Sequence, residues 1–215
     1  MRPKVNLIII TFFLLASNGY ASENVKTAFD KGNEYIDAQN FEKAFILFKE
    51  SAEQGHSSAQ YNLGIMYGND ESVLKDLKQA VAWYRKAAEQ GDSGAQYNLG
   101  IMYYNGKGVL KDPKQAVAWY RKAAEQGHSS AQYNLGNRYD NGKGVLKDFK
   151  QAADWYRKAA EQGHSDAQFN LGIMYANGEG VLKDMKLAKK FIQQAHENGD
   201  EGATKAWESL ELWKY

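Results

Sequence analysis

The stretch VLKDPKQAVAWYRKAAEQG, residues 109–127, recurs with few changes at residues 73–91 and again at residues 145–163. A catalytic motif is normally needed once, because its residues converge on one reacting atom. A packing unit gains from being copied, because each copy offers a face to the next. The recurrence therefore favours a scaffold over an enzyme.

The period of the repetition is 36 residues. The sequence Tyr-Asn-Leu-Gly, or Phe-Asn-Leu-Gly in the last copy, begins at Tyr61, Tyr97, Tyr133 and Phe169. Repeats of this length without strand signals are typical of stacked helical hairpins that share one continuous core. The sequence thus predicts an all-α fold, an α-solenoid of stacked antiparallel helical hairpins.

The second helix of each repeat has clear start and stop signals. Asp112 can cap the free N–H groups of the first turn, Pro113 suits the first helical position, and Gly127 is a left-handed stop. We expect this helix over about 113–126, with Trp119 and Tyr120 filling the gaps between repeats. The same cap position recurs in the other repeats, at Asp76, Asp148 and Asp184.

The first helix is expected over about 93–104 and carries Gly100 in its middle. A glycine there costs about 1 kcal/mol of helix stability relative to alanine. We interpret this cost as offset by a close approach of the partner helix at that point.

The order of these motifs, A-x-Y-N-L-G-x-x-Y, then N-G-K-G-V-x-x-D, then K-Q-A-x-x-W-Y-R-K-A-A-E-Q-G, resembles the Sel1-like repeat family, relatives of the tetratricopeptide repeats. The resemblance divides the chain into repeats at 57–92, 93–128, 129–164 and 165–200, preceded by a tetratricopeptide-like hairpin at 22–56 and followed by one capping helix at 201–215. It implies a right-handed superhelix whose first helices line a concave groove that binds protein segments. Bacterial members of the family are mostly described as exported adaptors.

Residues 1–21 have the order of features of a secretory signal peptide. Two basic residues precede the apolar run 7–16, and small residues precede a cleavage position after Ala21. The run is too short for a spanning helix, which needs about 20 residues. We therefore expect a mature chain that begins at Ser22, is periplasmic or secreted, and has no stable membrane insertion.

Composition narrows the possible partners. The mature chain would carry 25 basic and 26 acidic residues, so it keeps no basic field to hold phosphates, and a nucleic-acid partner is not expected. The chain has no cysteine, so its stability must come from packing. We predict a monomer that uses no cofactor.

The strongest candidates for protein binding lie on the first helices. In tetratricopeptide-type grooves the residue two before the helix glycine faces the concave side, which by resemblance places there Asn62, Asn98, Asn134 and Asn170. An amide both donates and accepts, so this row could pair with the backbone of an extended peptide, or it could bond neighbouring helices. By the same resemblance, aromatic residues add contact area, part of which belongs to the core: Tyr61, Tyr97, Tyr133 and Phe169.

One repeat departs from the others on this helix. Three repeats read Gly-Ile-Met-Tyr, whereas the repeat at 129–164 continues from its glycine with Asn137, Arg138, Tyr139 and Asp140. Because a buried unpaired charge is costly, we expect Asn137, Arg138 and Asp140 to be exposed in the groove. Either drift on an exposed surface or selection for a ligand explains the change.

Metal binding and catalysis find little support. Three histidines occupy the same position in different repeats, namely His56, His128 and His164. They lie at least one repeat apart, too far to share a metal ion, because a metal ion needs three or four donors around one point. We therefore assign them a role in turns. Ser72 and Lys75 match the Ser-x-x-Lys of penicillin-recognising enzymes, but Lys-Thr-Gly and Ser-Asp-Asn partner motifs are absent from the sequence. No catalytic or metal-binding residue is predicted.

These observations favour an exported scaffold or adaptor that binds a protein or peptide segment in the concave groove. A periplasmic inhibitor or immunity protein for a single toxin is the main alternative. A β-lactamase-like hydrolase, which rests on the Ser-x-x-Lys match alone, is the only enzyme among these hypotheses.

Overall fold

The computed structural model describes residues 24–69 and 75–214, and within them every regular element is helical. The predicted signal peptide at 1–21 lies outside the described residues. Residues 24–37 form α1. The other helices are α2 (Phe41–Glu53), α3 (Ser57–Gly68), α4 (Leu77–Glu89), α5 (Ser93–Asn105), α6 (Pro113–Glu125), α7 (Ser129–Asn141), α8 (Phe149–Glu161), α9 (Ser165–Asn177), α10 (Met185–Glu197) and α11 (Glu201–Ser209), and a 3₁₀ turn follows at Leu212–Lys214.

The chain divides into two compact parts, an N-terminal part that ends at Gln90 and a C-terminal part that begins at Gly91. In the N-terminal part α2 packs on α3 and α3 on α4; in the C-terminal part each helix from α5 to α11 packs on the next one along the chain. The predicted all-α fold of stacked helical hairpins is confirmed. None of the described helices has the length and apolar character needed to span a membrane.

The second helices begin and end at the predicted signals. Oδ1 of Asp112 accepts hydrogen bonds from the backbone N–H of Lys114 at 2.9 Å and of Gln115 at 3.1 Å. The helix ends at Glu125, and Gly127 follows with a φ of +90°. Asp112 thus pairs two backbone N–H groups that have no partner within the helix, and Gly127 allows the left-handed turn that ends it.

The glycine of each first helix lies against the second helix of its own hairpin. A Cβ placed on Gly100 would lie 2.6 Å from the ring of Tyr120, and one on Gly136 would lie 2.7 Å from the ring of Tyr156. No side chain larger than hydrogen fits there without displacement. The predicted close approach is confirmed, and it brings each pair of helices together at the level of the candidate binding residues.

The core between helices consists mostly of alanines and one leucine per first helix, such as Leu99 and Leu135, both with no exposed surface. Of the two aromatic residues predicted to fill gaps, Tyr120 is 3% exposed, whereas Trp119 is only partly buried. The equivalent tryptophans Trp83 and Trp155 are 8% exposed. The prediction for Trp119 is therefore right only in part.

The C-terminal segment differs from the single helix that the sequence predicts. Helix α11 ends at Ser209, and Glu211 has a φ of +50°. This turn allows Leu212 to fold back into the core that contains Ile192 of α10, with none of its surface exposed. Burial of one leucine side chain, about 1.5–3 kcal/mol, offsets the cost of ending the helix early.

Candidate functional site

An aromatic residue followed by an amide recurs on the three first helices of the C-terminal part, α5, α7 and α9. All six side chains are partly exposed, so the core does not use their whole surface. The pairs are Tyr97 with Asn98, Tyr133 with Asn134, and Phe169 with Asn170. We call these six residues the aromatic–amide row.

The N-terminal part carries one further pair, Tyr61 with Asn62 on α3. Both side chains are partly exposed, and the ring of Tyr61 lies 6.1 Å from that of Tyr84 on α4. The ring contact with the second helix of the same hairpin is the one that Tyr97 and Tyr133 make with Tyr120 and Tyr156.

The amides make some contacts between successive first helices. Nδ2 of Asn134 donates to the phenol oxygen of Tyr97 at 3.5 Å, a long hydrogen bond. Burial raises the pKa of Tyr133, and hydrogen bonding to the amide of Asn170 opposes that rise. The side chain of Asn98 has no hydrogen-bond partner among the described residues. The row therefore combines a structural role with free bonding capacity.

The tyrosine rings of the row are held from two sides. The ring of Tyr97 lies 6.1 Å from that of Tyr120 and stacks on His128 at 4.7 Å. Tyr133 repeats the arrangement: His164 stacks on it at 4.6 Å. These contacts fix the rings while leaving part of each exposed, a rigid aromatic surface of the kind that contributes strongly to protein binding.

All three histidines that share one repeat position stand at the N-cap position of a first helix, and two of them cap it with a side-chain hydrogen bond. Nδ1 of His56 and of His128 accepts the backbone N–H three residues on, in both cases at 3.3 Å. His164 also stands at the cap position, but its Nδ1 is buried and has no partner among the described residues. Burial lowers the pKa of all three, which keeps them neutral near pH 7.

Arg138 is 8% exposed, so the prediction that it lies exposed in the groove is wrong. The equivalent residues Met102 and Met174 are 7% and 4% exposed, because this helix position faces the core. The apolar stem of arginine can occupy the space of methionine. Its guanidinium carbon lies 4.0 Å from the ring centroid of Tyr104, a cation–π contact.

Asn137 and Asp140, the other two residues that distinguish the repeat at 129–164, are partly exposed. Oδ1 of Asn137 accepts from Asn141 Nδ2 at 2.9 Å, one turn along α7. The charge of Asp140 adds to burial in raising the pKa of Tyr156. Contact of Asn137 or Asp140 with a ligand remains a prediction.

A row of buried glutamines was missed by the sequence reasoning. Oε1 of Gln132, which is 5% exposed, accepts from Gln162 at 2.7 Å, and its Nε2 donates to the carbonyl of Ala124 at 3.1 Å. Each first helix has such a glutamine: Gln60, Gln96, Gln132 and Gln168. The sequence does contain a signal for this row, since the same glutamine follows a core alanine in each of these repeats. A polar residue that never varies next to a core position indicates a buried amide with hydrogen-bond partners.

The described structure does not bring the other candidate residues for metal binding or catalysis together. Ser72 lies outside the described residues. Among those described, no three residues of His, Cys, Asp or Glu are placed to hold a metal ion. An open cleft of about 500 Å³ between α10 and α11 is lined by Lys189, His196, Thr204 and Trp207 among others. The aromatic–amide row offers hydrogen-bond donors, hydrogen-bond acceptors and aromatic faces.

Comparison with known proteins identifies the repeats. The Sel1 repeat family model matches residues 28–56, 57–92, 93–128, 129–164 and 165–200. A comparison with curated proteins found no significant match.

Solved structures show the same fold. The protein is 35% identical to c5321, a protective antigen of uropathogenic Escherichia coli strains, with a TM-score of 0.80 over 87% of this chain; it spans only 40% of the length of c5321. It is 32% identical to a Sel1 repeat protein from Oxalobacter formigenes, with a TM-score of 0.78 over 92% of this chain and 85% of the other.

A more distant likeness extends to a tetratricopeptide repeat protein. YrrB, described as having an unusual peptide-binding site, is 21% identical, with a TM-score of 0.55 over 90% of this chain and 97% of its own; this shows the fold alone. The family match covers most of the sequence, from residue 28 to residue 200, and its repeats coincide with helical hairpins of the structure. The chain belongs to the Sel1 repeat family, whose members are generally scaffolds for protein interactions.

Proposed function

We propose that this protein is an exported scaffold that binds a peptide segment of a partner protein on the aromatic–amide row. The observation that carries the proposal is the repetition of one partly exposed pair of side chains on α5, α7 and α9. Core packing alone would bury these positions or let them vary. A repeated donor, acceptor and aromatic face suits an extended backbone, which repeats the same groups itself.

Asn98 is the member of the row that tests the proposal most directly. Its amide makes no hydrogen bond to the described residues, so Asn98→Ala should leave the melting temperature unchanged. If the amide pairs with a peptide backbone, its loss should weaken binding about fivefold, the effect of one neutral hydrogen bond of about 1 kcal/mol.

The experiment begins with a random peptide library displayed against the full chain. Selected peptides are then measured by isothermal titration against the parent, against Asn98→Ala, and against the matched control Lys114→Ala, which removes an exposed side chain of α6. We expect weaker binding to Asn98→Ala and parent-like binding to Lys114→Ala. The opposite order would move the binding surface to the second helices.

Export is the part of the proposal that rests on the sequence before residue 22. The apolar run 7–16 and the small residues before Ala21 support cleavage by a signal peptidase. The relative c5321, similar over 87% of this chain, is described as a protective antigen. Mass spectrometry of the chain from a periplasmic fraction should find Ser22 as the first residue; recovery of the protein with Met1 from the cytoplasm would reject export.

A further inference from the structure

The buried guanidinium of Arg138 is not explained by packing. Its Nε and Nη1 atoms are buried and donate to no described residue, although the side chain is only 8% exposed. Burying a charge with unpaired donors is costly. Met102 and Met174 fill the same position in the flanking repeats, so the core does not need a cation here.

The surroundings of Arg138 include a second cation, and an acid, Asp140, whose charge acts on Tyr156 as that of Arg138 does, in the opposite direction, but which forms no ion pair with Arg138. Hydrogen bonding to Arg138 lowers the pKa of the Tyr104 phenol, and the charge of Lys143 acts in the same direction. Asp140 is two residues along α7, a spacing that places it on a different side of the helix. No described acid forms an ion pair with Arg138.

A second unpaired group lies near the guanidinium. The phenol oxygen of Tyr156 is buried and has no hydrogen-bond partner among the described residues. Burial and then the charge of Asp140 raise the pKa of Tyr156, whereas the nearby amide of Asn170 and the charge of Arg138 oppose that rise. Two polar groups in one region of the C-terminal part therefore have bonding capacity that the fold does not use.

We infer that Arg138, with Lys143 nearby, forms a binding site for one carboxylate of a peptide ligand, a site that the ring of Tyr104 covers in this structure. The carboxylate comes from an acidic side chain or from the C-terminus. The inference rests on the proposed peptide-binding function and adds the chemistry of one repeat to it. A planar guanidinium matches a carboxylate in shape and charge. A phosphate, with about two charges and three acceptor oxygens, would need more cations than the site offers.

The carboxylate reaches the site when the ring of Tyr104 moves. Tyr104 lies in the last turn of α5, where its partly exposed ring packs against the edge of the core, so rotation of the ring toward solvent would uncover the guanidinium. Tyr104→Ala should therefore keep or strengthen carboxylate binding, whereas Arg138→Met should abolish it.

The test uses small probes and needs no identified partner. Nuclear magnetic resonance of the full chain follows the Nε–H signal of Arg138 and nearby backbone amides during titration. The probes are N-acetyl-aspartate N-methylamide, which carries a side-chain carboxylate, N-acetylglycine, which carries a terminal one, and N-acetyl-asparagine N-methylamide, which is neutral. One charged hydrogen-bonded pair gives dissociation constants in the range of tens of millimolar.

We expect at least one carboxylate probe to shift these signals and the neutral probe to leave them in place. The probe that acts identifies the source of the carboxylate. In Arg138→Met the amide shifts should vanish; in the matched control Arg157→Met they should persist, because Arg157 is already paired with Asp154 at 2.9 Å. Equal shifts with the neutral probe, or none with either carboxylate, would overturn the site.

Two further measurements separate this inference from the proposed function. Arg138→Met should raise the melting temperature, because it removes an unpaired buried charge; a lower value would mean that the fold itself satisfies the arginine and would overturn the site. Acidic peptides selected on the parent should bind Arg138→Met about tenfold or more weakly. Peptides that bind Arg138→Met normally but lose affinity for Asn98→Ala would reject the carboxylate site and leave the scaffold function intact.

Discussion

Replacing Gly100 by alanine should destabilise the protein, although alanine is the better helix former. The new Cβ would lie 2.6 Å from Cδ1 and Cε1 of Tyr120 and 3.3 Å from the carbonyl oxygen of Ala116. Carbon atoms in contact are normally about 3.5–4.0 Å apart, so the tyrosine ring would have to withdraw by about 1 Å. Tyr120 is 3% exposed and has no free space to enter.

The magnitude follows from two opposing terms. Overpacking a dense core costs up to about 3 kcal/mol, and the gain in helix propensity returns about 1 kcal/mol. The free energy of unfolding should therefore fall by up to about 2 kcal/mol in Gly100→Ala. Thermal and urea unfolding, followed by circular dichroism, measure this change.

A background variant and a control make the prediction specific. With Tyr120→Ala the ring is gone, so adding Gly100→Ala should now stabilise by up to about 1 kcal/mol, a reversal of sign. Gly68→Ala is the matched control, because its Cβ would lie 3.7 Å from Ala80 and from Tyr84, an ordinary contact. If Gly100→Ala stabilises the parent, the helices do not approach as the structure shows.

Two other predictions concern histidine and tryptophan. Burial lowers the pKa of His128 and His164, so below about pH 6.5 these side chains bind more protons in the unfolded chain than in the folded one. The free energy of unfolding therefore falls as the pH drops below about 6.5, and above that pH these histidines do not reduce it. His128→Asp with His164→Asp, which copies the cap Asp92 of α5, should reduce the loss of melting temperature between pH 7.5 and pH 5.5, and an unchanged loss would assign it to other groups. Trp155→Ala should cost about 3–5 kcal/mol because Trp155 is 8% exposed, and Trp119→Ala less, because it is only partly buried; chemical unfolding that ranks them in reverse would contradict the burial.

Features that depend on neighbours in sequence could be predicted without the structure. The cap by Asp112, the left-handed turn at Gly127 and the helix between them follow from residues within one hairpin. Gly100 could be interpreted because its cost is local and its compensation must come from the partner helix. Each of these arguments needs only the helical period.

Features that depend on how hairpins meet were harder to predict. The buried amide of Gln132 is explained only by a carbonyl of the preceding helix α6 and by Gln162 at the end of α8. Burial of Leu212 ends α11 early, which helical periodicity alone does not reveal. In both cases the deciding partner lies on another helix, so no local pattern contains it.

Arg138 was predicted to be exposed, but the structure buries it. A buried unpaired charge is costly, which by itself predicts that the arginine is exposed. Two facts were missing: the position faces the core, and Tyr104 on the preceding first helix places an aromatic ring against the guanidinium. Tyr104 is itself a departure, since Gly68, Asp140 and Ala176 stand at its position in the other repeats.

Tyr104 and Arg138 each differ from the equivalent residues of the other repeats, and they contact each other. Their contributions to stability should therefore be energetically coupled. A cation–π contact contributes about 0.5–2 kcal/mol, so Tyr104→Ala should cost that much more in the parent than in the Arg138→Met background. Urea unfolding of the four proteins of this double-mutant cycle measures the difference. The coupling is expected even though Arg138→Met alone stabilises, because the unpaired donors cost more than the ring returns. Equal costs in both backgrounds would show that Tyr104 and Arg138 changed independently, and the ring would then have no part in holding the arginine.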